Sequence, residues 1–420
     1  MLQVLSSAWA LLLGICLLLV GNGLQGTLLG VRGEIEGFST FQMSIVMSAY
    51  FIGFLGGSRM APELIRRVGH VRVFAALASF ISAVMILYPA LPNMWVWILG
   101  RVIIGFCFSG VYVTAESWLN NAADNSNRGK ALSLYMIVQM IGIISAQGLI
   151  QVGDPGGYEA FIIASILVSI SFGPILLSIS PTPAFDTTKR MTLREIMTIS
   201  PLGCVGMFLL GGIFSAQFGM SSVYGATIGL SLGNLSLFVA TFYIGALFLQ
   251  YPLGWVSDRM DRRFLIMGVA AVGGAAAVVG MMFGDQFSML LVSAFVIGGM
   301  SNPLYSLLIA YTNDYLEHDD MAAASGGLVF INGLGAIAGP MITGWLMGDA
   351  LLGPPGFFAL MAALLFVMAA YALYRTTQRA AIPVEETGTF TVMTPASTSV
   401  AVEFAQEVAI EAELEEQETQ

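Results

Sequence analysis

The chain has 420 residues, of which 57% are hydrophobic and only 10% are charged. A soluble domain carries about 25% charged residues, so this composition excludes an ordinary soluble protein. The apolar residues form separate runs of roughly 20, the length at which a helix crosses a ~30 Å hydrocarbon core. The sequence therefore predicts an all-α polytopic membrane protein.

Twelve such runs follow one another, and we number them spans 1 to 12. They cover 7–29, 42–61, 71–91, 95–120, 131–152, 159–180, 201–225, 235–257, 264–284, 288–313, 323–348 and 356–376. Span 1 has no basic n-region and is too long for a signal peptide, so we expect it to be retained. The predicted units are an N-terminal six-helix bundle (1–180), a central loop (181–200), a C-terminal six-helix bundle (201–376) and a tail (377–420).

The basic residues predict the orientation. With both termini inside, 14 of the 16 Lys and Arg residues lie at or near cytoplasmic ends. Arg32 then lies outside and Arg101 lies within span 4. The positive-inside rule thus predicts a multi-pass protein of the inner membrane with cytoplasmic N and C termini.

The net charge of −10 belongs almost entirely to the tail. Nine Glu and no Lys or Arg follow Arg379, which leaves 17 acids against 16 bases in the rest of the chain. Unpaired Glu together with Pro, Ser and Thr is typical of disorder. We therefore expect residues 377–420 to form an acidic, disordered cytoplasmic tail, in which "FAQEVAIEAELEEQ" is the segment able to form a helix on a partner.

An internal repeat organises the spans. A shift of 192 residues lays "GFSTFQMSIVMSAYFIG" (37–53) over "GLSLGNLSLFVATFYIG" (229–245), and a shift of 193 aligns spans 4 and 5 with spans 10 and 11. The second shift pairs Gly105 with Gly298 and Tyr112 with Tyr305. The two groups of six spans are therefore predicted to be pseudo-symmetric copies.

A loop motif carries a family resemblance. "GWVSDRMDRRFLI" (254–266), between spans 8 and 9, resembles the G-x-x-x-D-R-x-G-R-R signature of the major facilitator superfamily, with Asp261 where glycine is usual. "AESWLN" (115–120) and "RRVGHVR" (66–72) are similar to the YcaD-like branch. The resemblance covers residues 1 to about 376. It implies two six-helix bundles that rock around a central cavity lined mainly by spans 1, 4, 7 and 10.

Other functional classes find little support. "GNGLQG" (21–26) matches a dinucleotide fingerprint, but it lies in a membrane span rather than a βαβ unit, so helix packing explains it better. The sequence has no P-loop, and its two histidines have no partner at metal-ligand spacing. We expect no enzyme activity, no cofactor, no metal and no nucleic-acid partner, in a monomer whose partners are the lipid bilayer, a small-molecule substrate and protons.

Polar residues inside the spans predict the substrate cavity. On span 4, Arg101, Gly105, Ser109, Tyr112, Glu116 and Asn120 recur at spacings of three or four and share one helix face. Polar groups in a membrane interior normally face a cavity or another helix. The candidate cavity residues are Asn22, Gln25, Arg101, Ser109, Tyr112, Gln217, Asn302 and Tyr305. The alternative for each of them is that its side chain forms a hydrogen bond between two helices and does not face the cavity.

Glu116 lies one to two turns from the predicted cytoplasmic end of span 4. At this depth it is a candidate for pairing with an arginine of loop 2–3 when an inner gate closes. It is also a candidate proton-coupling group, because burial disfavours the charged form of a carboxyl. The third interpretation is a static buried hydrogen bond.

The first-half copy of the loop motif lacks its acid, because a shift of 192 lays Asp258 on Arg66. The resemblance implies that span 2 packs near span 11 and span 5 near span 8, so that loop 2–3 lies beside loop 10–11 and loop 4–5 beside loop 8–9. Opposite charges face each other across both seams and predict a cytoplasmic gate. Its candidates are Asp258, Arg259, Arg262, Arg263, Arg66, Arg67, Arg72, Arg128, Glu317 and Asp319.

The sequence thus predicts a secondary active transporter. It would move a small polar or amphipathic organic solute by alternating access, coupled to protons, and the direction of transport stays open. The alternative is a transporter-fold sensor or assembly protein acting through its acidic tail.

Overall fold

The computed structural model describes residues 2–122, 128–177, 191–380, 382–388 and 390–408. Within these ranges, twelve helices are long and apolar enough to span a membrane. They are Ala8–Ile35, Thr40–Val68, His70–Ala90, Met94–Asn120, Arg128–Leu149, Glu159–Leu176, Pro201–Thr227, Leu232–Ser257, Arg262–Met282, Phe287–Asn313, Ala323–Leu346 and Gly356–Gln378. They coincide with the predicted spans and keep their numbers, so the twelve-span, all-α prediction is confirmed.

The two halves repeat one packing scheme. In the first half span 1 packs on spans 5 and 6, span 2 on span 4, and span 3 on spans 4 and 6. In the second half span 7 packs on spans 11 and 12, span 8 on span 10, and span 9 on spans 10 and 12. Each contact reappears six spans later, which is the pseudo-symmetry that the repeat predicts.

Glycines explain why the strongest of these contacts recurs. A Cβ added to Gly53 on span 2 would lie 1.9 Å from the carbonyl oxygen of Val102 on span 4. At its copy Gly245, a Cβ would lie 2.0 Å from the carbonyl oxygen of Phe295 on span 10. Glycine lets two helix backbones approach closely within a membrane.

The turns that precede spans 2 and 8 are also copies. Gly37 has φ 76° and Gly229 has φ 71°, in the left-handed region that glycine adopts without strain. Two residues later, the side chains of Ser39 and Ser231 cap the helices by accepting hydrogen bonds from the backbone N–H groups of Gln42 and Asn234.

The two halves pack directly on each other at the end of the bundle where spans 1, 7 and 11 have their C-terminal ends. We call this end the closed face. Adding a Cβ to Gly30 of span 1 would meet Ser222 of span 7, and adding one to Gly344 of span 11 would meet Ser44 of span 2. Spans 5 and 8 also contact each other. The predicted packing of span 2 on span 11 and of span 5 on span 8 is confirmed.

The other end, which we call the tail face, carries the central and C-terminal segments. Of the predicted central loop, 181–190 lie outside the described residues. Its remainder contains the short helix Leu193–Ile199, which begins with a capping box in "TLRE" (192–195): the side chains of Thr192 and Glu195 each accept a hydrogen bond from the other's backbone N–H.

The described tail residues 382–388 and 390–408 include segments that pack against the bundle, and disorder of the tail stays a prediction. Residues 399–408 form a helix, and Ala401, Phe404 and Ala405 on one of its faces are fully or almost fully buried. Apolar residues at spacings of three and four give this segment a side to bury. The prediction for residues 409–420 falls outside the described residues.

Candidate functional site

A cavity of about 130 Å³ lies between the two halves. Aromatic rings form much of its wall, including Tyr50, Phe54, Phe218 and Tyr243. Amides from both halves line it, and residues 394–397 of the tail line it on the tail face. A concave, largely apolar cavity with a few convergent polar groups is the arrangement expected of a small-molecule site.

Three of the polar residues present atoms that no described residue satisfies. They are Oε1 of Gln25, Nε of Arg101 and Oδ1 of Asn302, whose side chains are 1%, 5% and 3% exposed. A buried polar atom without a partner costs about 1–3 kcal/mol, more when it is charged. A ligand that hydrogen-bonds these groups would remove this penalty.

Among the described residues that line the cavity, Arg101 is the one charged side chain. Its guanidinium lies 4.7 Å from the centre of the Tyr50 ring, and no described residue forms an ion pair with it. The ring gives a cation–π contact of about 0.5–2 kcal/mol, less than a buried ion pair partner would provide. The cavity therefore carries a net positive charge.

The structure brings five of the eight predicted cavity residues together. Asn22, Gln25, Arg101, Tyr112 and Asn302 line the cavity.

The other three candidates have different surroundings. The amide of Gln217 and the hydroxyl of Ser301 exchange two hydrogen bonds of 2.9 and 3.1 Å between spans 7 and 10. The hydroxyl of Tyr305 donates to the tail carbonyl of Ser397 at 3.4 Å. Ser109 is fully buried outside the cavity lining. These three residues lie outside the cavity lining of this conformation because one helix face contacts several neighbours, and only part of it reaches the cavity.

Sequence reasoning missed the contributions of spans 2, 5, 8 and 11. Tyr50 and Tyr243 come from spans 2 and 8, and Gln139, Gln147 and Asn332 come from spans 5 and 11. The repeat could have predicted one pair of these residues, Gln139 and Asn332, because the shift of 193 aligns them. Two amides kept at copied positions of membrane helices point to a shared cavity.

Glu116 lies outside the cavity lining and is fully buried. It accepts a hydrogen bond of 3.2 Å from the hydroxyl of Tyr135 on span 5 and another from the hydroxyl of Thr398 in the tail. In this conformation its partners include these two hydroxyls and backbone groups of Thr398 and Ala401 in the tail, and no described arginine of loop 2–3 bonds it. Both the gate and the coupling interpretation therefore remain predictions.

The gate candidates have partners other than those predicted. Arg66 and Arg67 pair with Glu63 of their own helix at 2.7 Å each, and Arg128 pairs with Glu407 of the tail at 3.1 Å.

The charged gate candidates of the second half form their contacts within that half. Arg262 contacts Asp314 and Asp258, and Arg263 contacts Asp261, while Arg259 lies over the ring of Trp255. Arg72 and Glu317 are exposed, and the side chain of Asp319 lies outside the described residues. We call the predicted ion pairs of the gate, between loops 2–3 and 10–11 and between loops 4–5 and 8–9, the latch. The latch remains a prediction for a conformation in which the helices themselves close the tail face.

Among the described residues, no group of three His, Cys, Asp or Glu side chains is placed to hold a metal ion. The cavity contains no acidic side chain in its described lining. Its chemistry is that of recognition: amides and phenols that hydrogen-bond, rings that stack, and one guanidinium.

Two six-helix copies around a central, largely apolar cavity with a few polar groups are the architecture of a secondary transporter. The family model of the Major Facilitator Superfamily matches residues 11–232 and 202–405, and the chain belongs to this superfamily, in its YcaD-like branch.

The relatives agree with this assignment. The MFS-type transporter YcaD of Escherichia fergusonii is 23% identical over 342 residues, which cover 80% of this chain and 88% of the relative. YcaD of an Escherichia coli strain is 25% identical over 341 residues with the same coverage.

Solved structures share the fold. A mutant of the nucleoside transporter NupG superposes with a TM-score of 0.73 at 14% identity, covering 87% of this chain and 98% of its own. The E. coli fucose:proton symporter FucP gives a TM-score of 0.54 at 16% identity, covering 86% of this chain and 98% of its own.

Proposed function

We propose that the chain moves a small polar or amphipathic organic solute across the inner membrane by alternating access, driven by protons. The observation that carries this proposal is the cavity between the halves, where Gln25, Arg101 and Asn302 present unsatisfied polar atoms. Such atoms are costly in a static structure and useful in a site that a solute occupies.

The proposed orientation places both termini and the tail face in the cytoplasm, as the distribution of basic residues predicts. In the conformation described here, the helices are packed together at the closed face, and residues 394–397 of the tail line the cavity at the tail face. Transport then requires the halves to rock, so that the contacts between spans 2 and 11 open while the tail face closes. The carrier is proposed to work as a monomer, because its cavity is complete within one chain.

Glu116 is the candidate for coupling this cycle to protons. It lies near the end of span 4 and is fully buried. Its hydrogen-bond donors belong to different parts of the molecule, because Tyr135 lies on span 5 and Thr398 lies in the tail. A carboxyl in this position can bond as the acid or as the carboxylate, and a change between the two would alter its bonds to moving elements.

Glu116→Gln is expected to abolish gradient-driven accumulation. The test uses vesicles containing the purified protein, an imposed proton gradient and the small-molecule fraction of a cell extract, with the accumulated solutes identified by mass spectrometry. Wild type should concentrate a defined set of solutes. If Glu116 couples protons, Glu116→Gln should still exchange that set across the membrane and lose its pH dependence.

The matched control is Glu159→Gln, which neutralises an exposed carboxylate at the start of span 6 and should behave as wild type. A Glu116→Gln variant with slow exchange and an unchanged pH response would assign the residue to the gate. Normal accumulation at every pH would leave only the static hydrogen bond. Failure of the wild type to accumulate any solute, with or without a gradient, would contradict transport itself.

A further inference from the structure

The charge of the cavity selects among small solutes. Arg101 is 5% exposed and lies against Tyr50, with no described carboxylate in the cavity lining. A guanidinium taken out of water retains a strong preference for an anion, because neither a ring nor an amide carries a compensating charge.

The surroundings of Arg101 define the rest of the ligand. The amides of Asn22, Gln25 and Asn302 line the same cavity. The amide oxygens of Gln25 and Asn302 have no described hydrogen-bond donor. The rings around them offer faces on which an apolar body can stack. Glu116 does not repel an anion at close range, because it lies outside the cavity lining and is bonded to Tyr135 and Thr398.

We propose that the substrate is an amphipathic organic anion, whose acid group binds Arg101 and whose hydroxyl, amine or amide donor binds Gln25 or Asn302. This inference rests on the proposed transport function and narrows it to one chemical class. A cationic solute would meet the uncompensated charge of Arg101, and a neutral solute would leave that charge unpaired.

The test offers vesicles containing the protein an equimolar mixture of matched compounds: carboxylic acids, their primary amides and the corresponding amines, on apolar bodies of several sizes. The acids are expected to enter selectively. Arg101→Gln should reduce their uptake roughly tenfold or more, the loss expected for a charge-assisted hydrogen bond. Arg101→Lys should retain part of it, because the charge remains while the planar fork is lost.

Arg59→Gln is the matched control, since it removes a positive charge from span 2 that lies exposed beside Phe330 rather than in the cavity. It should leave the selectivity unchanged. Entry of the amides or amines in preference to the acids would overturn the anion assignment and leave transport intact. Entry of none of the three classes would overturn the assignment together with the transport of small amphipathic solutes.

An independent observation concerns the tail, which lies across the opening between the halves. The backbone of Met393 accepts from the amide of Gln250 at 2.9 Å and donates to the hydroxyl of Ser306 at 2.9 Å. Thr398 bonds Glu116 of the first half. Residues 394–397, between these anchors, reach into the cavity lining.

The following helix continues the seal. Phe404 is fully buried, the amide of Gln406 donates to the side chain of Asn313 at 3.1 Å, and Glu407 pairs with Arg128 at the start of span 5. Before the cavity, the backbone N–H of Phe390 donates to Asp258 at 2.9 Å. The tail therefore uses Asp258 and Arg128, two residues predicted for the gate between the halves.

We propose that residues 390–408 are a plug that closes the cavity on the tail face and must leave before solute passes. The plug and the predicted latch compete for the same charged residues, Asp258 and Arg128. These residues would therefore have different partners in the two conformations of the carrier. The closing element is thus a segment of the chain itself, held by hydrogen bonds that water can replace once it detaches.

Cysteine accessibility in detergent tests the plug without reference to membrane orientation. With Cys16, Cys107 and Cys204 replaced, Gln139→Cys reports on the cavity wall. Phe404→Glu, or deletion of 382–420, is expected to raise the rate of its reaction with a bulky maleimide at least about tenfold, because the buried position of Phe404 does not tolerate an unpaired charge. Deletion of 409–420 is the control and should leave the rate unchanged.

No increase in either opened variant would overturn the plug. If both variants fail to fold, the full chain with Ser306→Cys and Met393→Cys provides the test. Oxidation of that pair should stop both labelling and transport, and reduction should restore them. Full transport with the tail tethered to span 10 would contradict the proposal.

Discussion

Replacing Gly53 with alanine is expected to prevent the normal packing of span 2 on span 4. The added Cβ would lie 1.9 Å from the carbonyl oxygen of Val102 and 2.8 Å from the backbone nitrogen of Phe106. Both are backbone atoms, so no side chain can rotate to make room. Overpacking of this kind costs about 1–3 kcal/mol or more, and we expect a large fall in melting temperature and in the yield of monodisperse protein.

The chain offers a close control one turn away. At Gly56 of the same span, an added Cβ would meet only the ring of Phe106, at 3.8 Å. Gly56→Ala should therefore preserve or slightly raise stability, because alanine stabilises a helix relative to glycine. Gly245→Ala, at the copied position, should repeat the loss at Gly53. Equal stability of the Gly53 and Gly56 variants would contradict the packing described for spans 2 and 4.

The positions of the spans and their two-fold repetition could be predicted because both depend on local, periodic signals. The length of each apolar run matches the thickness of the bilayer. The glycines and serines that coincide under the shift indicate turns and close helix contacts, as Gly37 and Gly229 illustrate. These features need no knowledge of which helix lies beside which.

The cavity was predictable only in part, because helical spacing gives a direction around one axis and not the neighbour found there. Gln217 illustrates the difficulty. It lies in a π-helical segment, Ala216–Met220, inside span 7, and the extra residue in that turn rotates the face that a regular helix would present. Its amide consequently bonds Ser301 between the two spans.

The tail could not be placed from its composition. Its charge indicated disorder, while its stabilising contacts come from residues far away in the chain: Glu116 lies 282 positions from Thr398, and Gln250 lies 143 positions from Met393. The apolar side at Ala401, Phe404 and Ala405 was visible in the sequence. The surface that covers it exists only after both halves have folded.

A disulfide across the closed face is expected to stop transport completely. A Cβ at Gly219 of span 7 would lie 3.2 Å from the Cβ of Met47 on span 2, close to the ~3.5–4.5 Å of a disulfide. These residues belong to different halves, which must separate here for the cavity to open on that side. We therefore expect Met47→Cys with Gly219→Cys, in a background without other cysteines, to lose uptake upon oxidation.

The control is a disulfide within one half. A Cβ at Gly273 of span 9 would also lie 3.2 Å from the Cβ of Met300 on span 10, and rocking of the halves leaves this distance unchanged. The measurement is solute uptake by vesicles containing each double variant, oxidised and then reduced. The alternating-access account predicts that oxidation arrests the Met47–Gly219 variant, that reduction restores it, and that the Gly273–Met300 variant transports throughout. Undiminished uptake by a fully cross-linked Met47–Gly219 variant would contradict the account.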